Sequence, residues 1–189
     1  MAVKRRDRNV AIGGQAYSLT VLAPIRPGHE QGLREAIAGL DRDGPGPFAL
    51  VPTVHFARLV IIDRLPHEGP PRRRQTPRVQ HLLFSSVFDG DPDRHLDELC
   101  RLMPDALDAV FAHCLGAPLP AGEDPRAFRG WIRRHQIETA AFFAPYGEAT
   151  VAQVRASLAL RERIASFAVR TQYAPGERLR EQFERELRS

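Results

Sequence analysis

Apolar residues gather most clearly in two stretches of strand length, Val54–Asp63 and His81–Gly90. Both are rich in β-branched and aromatic residues and carry an Asp at their end, which predicts two strands. The segment between them, Pro66 to Pro77, is dense in Pro, Gly and Arg and continues neither strand. It reads as a long joining loop able to act as a flap. Tyr17–Ala23 predicts an earlier strand, after which Pro24 and Pro27 bracket a turn into a helix over Gly28–Leu40. Leu33, Ala36, Ile37 and Leu40 recur on that helix at helical spacing.

Asp91-Pro92 supplies an N-cap acid followed by Pro at the first helical position, and Leu96, Leu99, Cys100 and Met103 give the helix it opens a buried face. Pro104-Asp105 restarts the chain into a short helix marked by Leu107, Val110, Phe111 and Cys114. Asp124-Pro125 repeats the cap signal ahead of Phe128, Trp131 and Ile132. Thr139–Pro145 reads as a fourth strand. Thr150 and Gln153 form a capping box for a helix through about Phe167, and Glu177–Arg188 predicts a charged final helix with Leu179, Phe183 and Leu187 on one side.

The resulting order predicts an α+β fold. It is a ferredoxin-like antiparallel sheet of the dimeric α+β barrel type, with a helical insert (about 104–137) before the last strand and C-terminal helices. The expected domains are a flexible leader over 1–14, the α+β domain over 15–170 and a charged helical tail over 171–189. Alternation sharpens the picture. Phe56, Val60 and Ile62 share one side of the second strand, with Ala57, Leu59 and Ile61 on the other; Leu82, Phe84 and Phe88 likewise oppose Leu83 and Val87. A sheet apolar on both faces needs cover on both, from a second copy in a homodimer or from the C-terminal helices.

Composition narrows the function classes. Of 189 residues, 43% are apolar, enough for a core, and no apolar run approaches the roughly 20 residues that span a bilayer. The N-terminus lacks the apolar region of a signal peptide, so a cytoplasmic location is expected. The net charge of +4 invites a nucleic-acid reading, but basic and acidic residues interleave, as in Glu177–Glu186. Lys4 is the one lysine, a bias of GC-rich coding that weakens each arginine as evidence. Nucleic acid is therefore not an expected partner. The cluster of Arg72, Arg73, Arg74 and Arg78, with the basic leader, leaves membrane-surface association as a weaker reading. Cys100 and Cys114 show neither zinc spacing nor a CxxC pair and are expected as buried free thiols.

Several segments resemble an uncharacterised bacterial family of this α+β architecture: Leu22–Gly28, His55–Arg58, Leu83–Gly90, Leu107–Cys114, Ala141–Phe143 and Thr150–Arg155. More distantly, the arrangement is similar to that of dye-decolourising peroxidases and chlorite dismutases. That resemblance implies a fold able to hold haem, and it implies no catalytic residue.

The candidate site residues follow from placement. Arg58 shares its strand face with Phe56 and Val60, so it suits an anchor for an anion or carboxylate in a barrel cavity, or a structural pair with Asp89 or Asp63. His55 falls on the opposite face by alternation. His55, His81, His113 and His135 are the candidate haem ligands, although a satisfied structural role is the commoner fate of such residues. Trp131 and Phe143 are candidates to wall an apolar pocket, with ordinary core packing the competing reading. No spacing points to a non-haem metal site. The expected function is a small-molecule-binding α+β barrel protein, an oxidoreductase-like enzyme on an apolar or haem-like ligand among its forms. The alternative is a non-catalytic interaction module that dimerises through its sheet face.

Overall fold

The β-rich stretches pair as alternation demands. β1 (Ala16–Pro24), β2 (Val54–Ile62) and β3 (His81–Asp89) form an antiparallel three-stranded sheet in the order β1-β3-β2. The helices are α1 (Glu30–Gly39), α2 (Pro92–Leu102), α3 (Pro104–Phe111), α4 (Pro125–Arg134), α5 (Val151–Thr171) and α6 (Gly176–Leu187). The structure, a computed structural model, describes residues 8–11, 16–42, 44–64, 77–144 and 149–187. Most of the leader and of the proline-rich joining segment, including Arg72–Arg74, lies outside the described residues.

Cap chemistry sets the helix starts. Asp91 Oδ1 accepts from the backbone N–H groups of Asp93 and Arg94, both at 3.0 Å, and Asp124 Oδ1 accepts from Ala127 N at 2.9 Å. Pro92, Pro104 and Pro125 occupy first-turn positions where no N–H donor is needed. One face of the sheet then buries Tyr17, Leu19, Val21 and Ala23 of β1 with Leu82, Phe84 and Phe88 of β3. Leu33, Leu96, Leu99, Leu107, Phe111, Phe128 and Trp131 pack in the same cluster, so α1 to α4 supply the rest of this core. Phe111 centres an aromatic group, edge-on to Phe84, Phe128 and Trp131.

The pairing of β2 slips by one residue between Val54 and Phe56, leaving His55 as the extra residue of a β-bulge. The bulge reverses the alternation. Val54 joins the core face with Phe88, and beyond the bulge the odd-numbered Ala57, Leu59 and Ile61 take that face, as expected of them.

The expected fourth strand over Thr139–Pro145 does not form among the described residues. The free edge of β1 is taken instead by short pieces from three places. Asn9–Ala11 pairs with Ala16–Ser18, Gln136 with Val21, and Cys114 with Ile25. Ile137 N donates to Thr20 O at 2.8 Å and Leu22 N to His135 O at 3.0 Å. With the edge beside Ala16–Ser18 occupied, Thr139 donates its N–H to Asn9 Oδ1 at 3.0 Å, and the chain places Phe142 and Ala144 against Ala11, Ala16 and Val87. The apolar segment thus covers one end of the second sheet face rather than extending the sheet.

The chain divides into two compact units, Met1–Thr150 and Val151–Ser189. In the second unit α5 and α6 meet through Phe167 and Phe183, edge to face at 5.9 Å, and Arg170 pairs with Glu186. Along α5, Val154, Leu158, Leu160, Ile164 and Val169 are exposed. Among the described residues no helix is long and apolar enough to cross a membrane.

Candidate functional site

The strand register fixes which side chains share the sheet face away from α1–α4. Arg58 stands opposite Ser85, Phe56 opposite Val87 and Val60 opposite Leu83; Thr20 and Leu22 of β1 continue the same rungs across β3. Phe142 and Ala144 cover the Val87 end. Elsewhere on this face Ser18 and Ser85 are buried and Thr20, Leu22 and Leu83 half-buried, while the β2 side is open among the described residues. Phe56 is 55% exposed and Val60 41%, with Arg58 exposed between them. Two large apolar side chains flanking a cation form an amphipathic patch of the kind that binding sites use.

Neither expected partner pairs with Arg58. Asp63 accepts from Arg34 at 2.6 Å, and Asp89 is held by His55, whose Nε2 lies 2.9 Å from Asp89 Oδ1. Arg58 makes no ion pair among the described residues, and it is exposed. A planar guanidinium in that state matches the fork of a carboxylate or phosphate. Its rung neighbours Ser85 and Thr20 contribute hydroxyls, so the patch offers hydrogen bonds and no general base.

The four expected histidines do not converge. His55 is the bulge residue tied to Asp89. His81 opens β3 opposite Ile62, four residues from Ser85 and so roughly 13 Å from the Arg58 rung. His113 lies 3.2 Å from His29, Nδ1 to Nδ1. His135 is bound through Nδ1 to the carbonyl of Trp131 at 2.9 Å and packs on its indole, 4.4 Å between ring centroids. The four histidines thus sit in four separate surroundings.

Trp131 and Phe143 also part company. Trp131 is buried in the core, its Nε1 donating to Leu115 O at 3.2 Å, whereas Phe143 is 70% exposed. They wall no common pocket. A cleft of about 350 Å³ lies elsewhere, between the end of α1, the 3-10 turn Pro47–Leu50 and β2, and is lined by Ile37, Leu40, Phe48, Ala57 and Leu59 among others. It contains none of the candidate residues.

His95, not among the candidate residues of the sequence, is fully buried. Its Nε2 lies 3.2 Å from Ser86 Oγ, its ring stacks on Phe88, and burial lowers its pKa to about 3. The signal was present: His95 precedes Leu99 by four residues, on the buried stripe of α2. Ser86 and His95 are the right pair for a nucleophile and base, but both are sealed in the core, which denies them a substrate. Cys100 and Cys114 are free and buried, their thiols pushed up to about 12 chiefly by burial. Among the described residues no group of three or more His, Cys, Asp or Glu is placed to hold a metal ion.

No protein-family model matches the chain, and neither a curated protein nor a solved structure is found that is similar to it.

Proposed function

We propose that this chain is a ligand-binding α+β protein of ferredoxin-like topology. Its open sheet face packs on a second copy to make a barrel, and the cavity between the two sheets takes an apolar molecule bearing a carboxylate or similar anion. The observation that carries this reading is Arg58, an exposed cation without an ion-pair partner among the described residues, set between Phe56 and Val60. The guanidinium would hold the anionic group, and the flanking side chains would take the apolar body.

Topology supports the barrel. The strand order β1-β3-β2 is that of a ferredoxin-like sheet without its fourth strand, and Gln136 pairs antiparallel on the edge of β1 where that strand would run. The groups beside Arg58 favour binding over catalysis, since Ser85, Thr20, Leu83 and Leu22 supply no acid or base for proton transfer.

Light scattering on the wild type and Val60→Asp tests the assembly. The expected result is a dimer for the wild type and a folded monomer for Val60→Asp, because a charge enclosed on the apolar face between the two sheets is not tolerated. A wild-type monomer at tens of micromolar would overturn the barrel.

A further inference from the structure

Outside the sheet face, the structure joins two histidines that lie 84 residues apart in sequence. We propose that His29 and His113 form a two-histidine site for a first-row divalent cation of the zinc, nickel or copper class.

The geometry is that of a chelate. Metal–imidazole bonds of about 2.0–2.1 Å place two ligand nitrogens roughly 2.9 Å apart at a right angle and roughly 3.4 Å apart at the tetrahedral angle. The two Nδ1 atoms lie 3.2 Å apart, within that range, with the rings at 62°. In the metal-free chain the two Nδ1 atoms share one proton in a hydrogen bond, and a cation would displace that proton to bind both nitrogens.

The backbone holds the pair in place. Ile25 bridges to Cys114, Arg26 N donates to His113 O at 2.8 Å, and Arg26 Nε donates to Cys114 O at 3.0 Å. His29 N donates back to Arg26 O at 3.0 Å, and His29 O receives Leu33 N in the first turn of α1. Gly32 gives the second ring its room: a Cβ there would stand 2.7 Å from Cε1 of His113. Such fixing lowers the ordering cost of binding.

The surroundings select the cation. No carboxylate completes a cluster here among the described residues, so the site lacks the oxygen ligands that calcium and magnesium require. Imidazole nitrogens suit zinc, nickel and copper, with water filling the remaining positions. His29 is exposed, which leaves the site open to exchange with solvent.

The test is calorimetric titration of the untagged full chain with zinc, nickel or copper(II) salts alone, comparing wild type, His29→Ala and His113→Ala. One equivalent per wild-type chain is expected, weakened on the order of 100-fold in each variant as chelation is lost. His29 makes no side-chain cap bond to α1, so His29→Ala should melt like the wild type and isolates the ligand effect from folding. With copper(II), nitrogen hyperfine structure should report two imidazoles in the wild type and one in His29→Ala. Undiminished affinity in His29→Ala, or no uptake by the wild type, would overturn the site.

Discussion

The imidazole of His95 stacks on the ring of Phe88 with centroids 3.6 Å apart and planes within 12° of parallel, while its Nε2 meets Ser86 Oγ. That arrangement binds α2 to β3, and it holds an ionisable group where charge is not tolerated.

A pH dependence follows. His95 has a folded pKa of about 3 against 6.5 for the free side chain. Above pH 6.5 both states are neutral and the residue contributes no slope. As pH falls below 6.5 the unfolded chain takes up a proton that the folded chain refuses, so stability drops by about 1.4 kcal/mol per pH unit until about pH 3. Denaturant melts of wild type and His95→Gln between pH 7 and pH 4 should therefore converge as pH falls, the variant lacking this slope. Curves that fall in parallel would show that His95 is not held neutral.

The cap on α2 carries a simpler expectation. Asp91 satisfies two first-turn N–H donors through one oxygen. Asp91→Ala should cost about 1 kcal/mol in urea melts without altering the m-value, whereas Asp91→Asn should recover most of the loss.

The thiols should be silent in the native state. With their pKa values near 12, Cys100 and Cys114 are thiolate in only about one molecule in ten thousand at pH 8, and neither side chain is accessible. A thiol reagent should label neither within minutes in buffer and both in guanidinium. Rapid native labelling of one would place it outside the core.

The first unit should stand without the second. The continuous core that includes Leu19, Phe84, Leu96 and Trp131 lies wholly before Val151, and the helices α1 to α4 cap the sheet without α5 or α6. A chain ending at Thr150 is expected to keep a cooperative thermal transition. A broad, uncooperative melt would mean that the helical pair completes the fold.

Local chemistry explains what could be read from the sequence. The three strands announce themselves through β-branched and aromatic runs, and α2 and α4 through Asp-Pro caps, because each signal lies within a few residues of its effect. Long-range pairing escaped. Thr139–Ala144 has strand composition, yet its place beside β1 was filled by Asn9–Ala11, some 130 residues earlier. The extra residue at His55 was equally silent, since a bulge depends on the partner strand. For the site, Arg58 was legible because alternation alone puts it with Phe56 and Val60. The meeting of His29 with His113 was not, being a product of tertiary contact between the start of α1 and the end of α3.

Native mass spectrometry of the purified protein, wild type beside Arg58→Met, tests the central claim most directly. The account predicts a species of two 21.2 kDa chains carrying added small-molecule mass, with that mass lost in Arg58→Met. A bare single chain, or equal retention in the variant, would contradict it.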